Sequence, residues 1–293
     1  MILVLGEGGQ VSNALKSELG TRGRNAPLPE VDFLKPATVV AALERYRPEA
    51  VVNAVAYTAV DQAEAEPAVA QAINADAPGI AASWCAKAGI PFIHYSTDYV
   101  YSGSGDQPFS EEEPTAPLGA YGRSKLSGDE QIAQAGGPHL ILRTSWVYDA
   151  YGKNFLRTML RLGRERETLK VVADQVGGPT YAPHLAQLTI KILDQVVKRS
   201  KDGFPSGVYH ACNSGFVSWH GFAVAIFDEA RRRGLEMKVK EVLPISTSEY
   251  PTPARRPGNS RLLMEKLRKN FALEMPTWQN GLSESFKLVR HDS

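Results

Sequence analysis

Apolar and polar positions along this chain fall into blocks whose period switches back and forth. Residues 1–5 are five consecutive apolar side chains, the character of a strand buried on both faces of a parallel sheet. They break at Gly6-Glu-Gly-Gly9-Gln-Val-Ser12, after which a helical period runs to about Leu19. A poorly marked strand is expected within 24–28, a helix over 37–46 and a third strand over 50–54. A longer helix is expected over 68–88, stopped by Gly89 ahead of Pro91. Residues 91–95 and 138–142 read as further buried strands. The rhythm continues with a basic helix over 154–166, a strand over 169–172 and a helix over 183–197. Beyond about 200 it loosens into a strand near 208–212, a helix near 219–233 and a strand near Val239. Strands alternating with helices at this pace predict an α/β fold with a parallel sheet and helices on both faces.

Strand, glycine turn and helix in that order are the setting of a dinucleotide-binding turn. Gly6 and Gly9 permit a tight bend and close backbone approach, and the helix N-terminus offers free N–H groups to a pyrophosphate. The spacing Gly6-x-x-Gly9-x-x-Ser12 matches the fingerprint with serine, still a small residue, in the last glycine position. The fold class is therefore a Rossmann-type doubly wound parallel sheet with a smaller C-terminal α/β substrate lobe. Residues 1–150 are expected to be mainly the dinucleotide-binding domain. Residues 151–293 would supply the remaining sheet elements and the substrate lobe, the two interleaved. Glu30 and Asp32 lie near the distance at which an acid would hold the ribose hydroxyls of NADH, whereas Arg22 or Arg24 would suit the 2′-phosphate of NADPH. Coenzyme choice stays open. Asp32 and Phe33 are placed against the adenine, and the small residues from Ala54 to Thr58 where a chain would pass close to a cofactor.

Ligands of such sheets bind at the carboxyl ends of the strands. Gly6, Ala54 and Thr97 all fall at such ends. Tyr121 and Lys125, four apart at the start of a predicted helix, share one face. A positive charge beside a phenol favours phenolate, so Lys125 is expected to lower the tyrosine pKa toward neutrality. Thr97 adds a hydroxyl directed at the same substrate oxygen. Trp146, in Arg143-Thr-Ser-Trp-Val-Tyr148, either packs in the core or stacks on a sugar or base. The loop 102–119 could cover the site. The segment 250–261, with its prolines and Arg255-Arg256, suits either a loop closing on an anionic ligand or an exposed basic linker.

Composition narrows the classes further. A net charge of +1 over 293 residues gives no polyanion-binding surface, so neither nucleic acid nor a membrane surface is expected as a partner. Cys85 and Cys212 are far apart and read as buried reduced thiols, and no metal-ligand cluster stands out. No apolar run reaches about 18 residues, and the first residues enter a strand directly, so a cytoplasmic protein is expected.

The segments NAVAYTAVD (53–61), HYSTDYVY (94–101), YGRSKLSG (121–128), RTSWVY (143–148) and YPTPARRPGNSRL (250–262) belong together. With the glycine turn they resemble the extended short-chain dehydrogenase/reductase family over nearly the whole chain. Within it they resemble the branch that reduces 4-keto sugar nucleotides. The resemblance implies reduction, with NADH or NADPH, of the C4 keto group of dTDP-4-dehydro-6-deoxy-L-mannose to dTDP-L-rhamnose. Tyr121 would donate the proton, Lys125 would bind the nicotinamide ribose, and Thr97 would hydrogen-bond the reacting oxygen. Gln10, Val11, Asp32, Phe33, Ala56, Tyr57 and Thr58 would line the cofactor. Asp98 and Trp146 would contact the sugar nucleotide, with Asn154 and Arg256 toward the substrate end. A homodimer is possible on the same basis. Two alternatives stay open: a reductase for a different 4-keto sugar nucleotide, and a regulatory subunit resembling the beta subunit of methionine adenosyltransferase, which shares the fold and binds a dinucleotide. An epimerase or dehydratase of the same superfamily would need a cofactor that is bound permanently and recycled.

Overall fold

The apolar run at the start of the chain is a strand, β1 (Ile2–Leu5), with all four residues buried. The computed structural model describes residues 1–197 and 203–289, so the last residues of the expected C-terminal lobe, 290–293, lie outside the described residues. After β1 come α1 (Gln10–Leu19), β2 (Gly23–Ala26), α2 (Pro36–Tyr46), β3 (Ala50–Asn53), α3 (Val60–Ala65) and α4 (Pro67–Gln71). A π-helical turn (Ala72–Asp76) leads into α5 (Ala77–Ala88), β4 (Phe92–Thr97), α6 (Ala120–Gln134) and β5 (His139–Thr144). Then follow β6 (Val147–Tyr148), α7 (Phe155–Glu165), β7 (Thr168–Val172), β8 (Val176–Gly177), β9 (Thr180–Tyr181) and α8 (Ala182–Val196). The chain closes with β10 (Gly207–His210), β11 (Val217–Ser218), α9 (Trp219–Arg232), β12 (Glu241–Ile245), β13 (Asn259–Ser260), α10 (Glu265–Phe271) and α11 (Trp278–Ser285).

Six strands form one sheet in the order β10-β5-β4-β3-β1-β2, and every pairing in it is parallel. The chain builds outward from β1 to β2, then returns to the other side of β1 with β3. Strand order reverses there, which opens a crevice at the carboxyl ends of β1 and β3. Alternate residues of β1 serve opposite faces: Ile2 and Val4 pack with Leu15, Leu185 and Leu267, while Leu3 and Leu5 pack with Val39, Leu43 and Ala81. Because β10 and α8 rejoin this sheet, residue 150 does not bound it. A second core gathers Leu156, Leu160, Phe222, Ile226 and Trp278 beneath the parallel pair β7 and β12.

The structure redraws three elements. The helix expected over 68–88 is split by the π turn, because Pro78 lacks the N–H that an α-helix would donate to the Asn74 carbonyl. The second strand ends at Ala26, ahead of Pro27. The strand expected near Val239 lies at Glu241–Ile245, since Val239 is in the second core and its N–H bonds the Gly163 carbonyl.

Candidate active site

The glycine turn is built by what glycine lacks. Gly6 holds φ at +98°, and a Cβ there would lie 2.7 Å from Val55 Cγ2. A Cβ on Gly8 would meet nothing, so the turn shows bare backbone to open space at the N-terminus of α1. Ser12 does more than fill a small position. Its hydroxyl accepts the Gly9 N–H and donates to the Gly9 carbonyl, both at 3.0 Å. Asn25 on β2 braces the same turn, donating to the carbonyls of Gly6 and Ser12. Val11 is half-buried against the core, and Gln10 ties the turn to β6 through Val147 O.

Two more glycines seat α6, the helix that carries Tyr121 and Lys125. A Cβ on Gly122 would lie 2.3 Å from Tyr99 O, and one on Gly128 would lie 2.1 Å from Asn74 O. Helix α6 can therefore press against the turn after β4 and against the π turn. Asn74, pointed inward by that turn, receives Tyr57 N–H and donates to Ser124 Oγ. Tyr57 and Tyr121 pack on the same small cluster of Ala63, Ala70 and Ala120. Ala54 and Ala56 are half-buried along the edge beyond β3, and Thr58 is exposed.

At the end of β4, Thr97 and Asp98 are buried, and the Thr97 hydroxyl donates to Asp98 Oδ1 at 3.2 Å. The Thr97 hydroxyl also lies close enough to the Tyr121 phenol to oppose its upward shift. Tyr121 sets its ring edge-on to Tyr99 at 5.4 Å between centroids. Burial pushes the Tyr121 phenol well above its ordinary range, and Asp98 adds to the rise. This corrects the expectation of a tyrosine lowered by Lys125. The amine of Lys125 is buried and turned to His94 Nε2 at 2.8 Å and Tyr95 O at 2.6 Å, so desolvation of the phenol dominates. Burial brings Lys125 itself down to about 8, against the pull of Asp129. Burial also raises Asp98 to about 6 despite the nearby hydroxyls of Ser260 and Thr97, and its Oδ2 has no well-aligned hydrogen bond.

Other expected residues take different places. Phe33 is 4% exposed in the core beside Val31 and Val39, not laid open against an adenine. Asp32 is engaged locally, accepting Leu34 N–H and facing Lys35 at 3.6 Å. Glu30 is held by Tyr46 and Arg45, and Arg22 pairs with Asp194 on α8. Arg24 stacks over the Tyr46 ring. Asn154 is the N-cap of α7: its Oδ1 accepts Arg157 N–H, and its Nδ2 donates to Gln10 Oε1 and Asp149 O. Its polar atoms are thus engaged within the fold. Arg256 bonds Asp61 Oδ2 at 2.6 Å and Tyr99 OH at 3.4 Å, which fastens the 250–258 segment beside Tyr121. Trp146 holds a positive φ of +49° and stacks face to face on Trp219, with centroids 3.5 Å apart.

With that geometry in view, the chain can be set beside known proteins. The family described as the RmlD substrate binding domain matches residues 1–291. The chain belongs to this family. A dTDP-4-dehydrorhamnose reductase of Burkholderia thailandensis is 46% identical over 283 residues, 95% of each chain. The protein of that name in Escherichia coli K12 is 44% identical, covering 96% of this chain and 95% of its own. A crystal structure of dTDP-4-dehydrorhamnose reductase from Bacillus anthracis in complex with NADP has a TM-score of 0.88 at 35% identity, covering 98% of both chains.

In this RmlD-family chain the residues present fit a dinucleotide. The open backbone cradle at Gly6–Gly9 lies at the switch-point crevice, and Thr97, Tyr121 and Lys125 stand further along the same sheet edge. Asn25, Asn74, His94, Tyr99, Trp219 and Ser260 shape the site without having been singled out from the sequence. Tyr99 and His94 sit inside HYSTDYVY and Ser260 inside RPGNSRL, so their neighbours carried a signal. Asn25 and Asn74 carried none. Among the described residues, no three His, Cys, Asp or Glu are placed to hold a metal ion, and no helix is long and apolar enough to cross a membrane.

Proposed function

We propose that this chain reduces the C4 keto group of dTDP-4-dehydro-6-deoxy-L-mannose to dTDP-L-rhamnose, with NADPH or NADH as reductant. The observation that carries the reading is the grouping of Thr97, buried Asp98 and Tyr121 at the carboxyl edge of the sheet, with Lys125 one helical turn further along α6. Relatives that match over nearly the full length are named for this reaction. The bound nicotinamide supplies the hydride, which leaves placement and proton supply to the protein. A phenol held above its ordinary range keeps its proton at neutral pH, so Tyr121 is loaded as the donor. Thr97 offers a second hydroxyl to the oxygen that gains charge. Asp98 Oδ2 is a buried acceptor suited to a sugar hydroxyl, with the Ser260 hydroxyl nearby. Trp146, exposed in part and held flat by Trp219, is an apolar platform for a sugar or base face.

The test is loss of reduced-nicotinamide absorbance with the keto sugar nucleotide generated in situ, comparing both coenzymes. Tyr121→Phe removes one oxygen and keeps the ring packing on Tyr99. Turnover should fall by roughly 10²–10⁴-fold while dinucleotide affinity stays within about twofold. A variant rate close to that of the parent would remove Tyr121 from the chemistry. Dinucleotide binding with no turnover on any 4-keto sugar nucleotide would replace the enzyme by a binding subunit.

A further inference from the structure

The hydrogen-bond chain behind Lys125 has a direction, and the direction fixes a charge. The Val55 N–H donates to Asn53 Oδ1 at 3.0 Å, and a backbone N–H can only donate. That contact orients the Asn53 amide and leaves its NH₂ facing His94 Nδ1 at 2.9 Å. His94 Nδ1 is then the acceptor. A neutral imidazole whose Nδ1 accepts carries its proton on Nε2. Nε2–H points at Lys125 Nζ, 2.8 Å away. An ammonium has three donors and no acceptor, so a charged Lys125 would set donor against donor. The contact is a hydrogen bond when Lys125 is an amine whose lone pair accepts, with its own N–H donating to Tyr95 O at 2.6 Å.

We propose that Lys125 is an uncharged amine in this fold, that His94 holds it so through Nε2–H, and that forming the ammonium requires the contact to open. His94 is thus a positioning residue for Lys125. The charges around the amine agree. On its own helix Lys125 is flanked by Tyr121 and Asp129, but Asp129 is already paired with buried Arg143 of β5 at 3.1 Å. From β4 it faces only His94 and the Tyr95 carbonyl, and the Asp98 carboxylate beyond is turned to Thr97. A second buried cation would lack a carboxylate of its own. Burial lowers Lys125 to about 8, and a hydrogen bond accepted by the amine works in the same direction by favouring its neutral form. His94 is held neutral by its own complete burial. The functional consequence rests on the dinucleotide reading above: a ribose hydroxyl that recruits the ammonium also recruits one proton.

The decisive experiment is nitrogen-15 NMR of the histidines at neutral pH with no dinucleotide added, together with carbon-13 at the lysine Cε. The His94 signal is assigned by His94→Gln or, should that variant not fold, through its contact with the Asn53 amide protons. An Nε2–H tautomer with Lys125 in the amine form is expected. An Nδ1–H tautomer, an imidazolium, or an ammonium Lys125 at that pH overturns the proposal. Asn53→Leu releases the constraint, so His94 can switch tautomer and accept from the ammonium. The Lys125 midpoint should then rise by about one pH unit or more, a tenfold gain in proton affinity. A purely structural Asn53–His94 pair would leave that midpoint where it was. In the parent protein, NADPH affinity should fall about tenfold per pH unit above the Lys125 midpoint. Absence of any NADPH binding would sink the proposed function and leave the tautomer result to decide this inference by itself.

Discussion

Asp98→Asn isolates what the site costs the fold. The Asp98 carboxyl is 3% exposed, and burial raises it to about 6 from its ordinary value of 3.8. An acid whose folded pKa lies above its unfolded one stabilises the fold fully below the unfolded value, and that contribution is lost as pH rises through the folded value. The window is therefore from about pH 4 to about pH 6. A shift of about two units is worth about 3 kcal/mol. With an unfolding entropy of roughly 2 cal/mol/K per residue, that is about 5 °C in Tm for a chain of this length. Asparagine has the same shape and no charge, and its NH₂ can donate toward the Ser260 hydroxyl. The variant should match the parent near pH 4 and exceed it by up to about 3 kcal/mol at pH 7.5, read by denaturant titration at each pH. Turnover should fall, since the carboxylate acceptor is gone. A stability difference that stays flat from pH 4 to 7.5 would show that Asp98 does not carry the buried charge assigned to it.

Gly6→Ala should destabilise the fold by about 1–3 kcal/mol, from a Cβ 2.7 Å from Val55 Cγ2 at a φ of +98°, and should weaken dinucleotide binding; a Tm within about 1 °C of the parent would contradict the cradle geometry. Asp61→Ala removes the anchor of Arg256 and the acceptor of Ala254 N–H at a cost of roughly 1 kcal/mol. Trypsin cleavage after exposed Arg255 should accelerate in that variant and the substrate KM should rise; unchanged cleavage would mean that Asp61 does not fasten the segment.

What the sequence made legible follows from how locally each feature is encoded. The parallel strands were readable because burial on both faces leaves unbroken apolar runs such as residues 1–5 and 91–95. The placing of Gly6, Thr97, Tyr121 and Lys125 on one edge needed only strand ends and an i,i+4 helical pair. The cap at Asn154 is written locally as well, an Asn directly before a helical period, the same residue type that also serves in ligand binding. Pairings such as Arg22 with Asp194 and Asn25 with Gly6 depend on tertiary placement that no local pattern encodes. The direction of the Tyr121 shift depends on tertiary placement in the same way. Spacing puts an ammonium near a phenol, but it does not say how little water reaches either, nor that the amine is turned toward His94.

The polar side chains at the carboxyl edge share one physical signature. Asp98 Oδ2 and the neighbouring Ser260 Oγ, and Thr144 Oγ1 at the end of β5, are buried without a well-aligned hydrogen bond among the described residues. Leaving such a group unpaired costs about 1–3 kcal/mol, whereas the buried side chains of Asn53, Asn74, Asn213 and His210 are hydrogen-bonded on both sides. At the proposed site, Asp98 Oδ2 keeps an acceptor position for a group from outside the fold. A hydroxylated sugar provides the matching donors and acceptors. The same site then explains both the raised Asp98 and the expected gain in stability when its charge is removed.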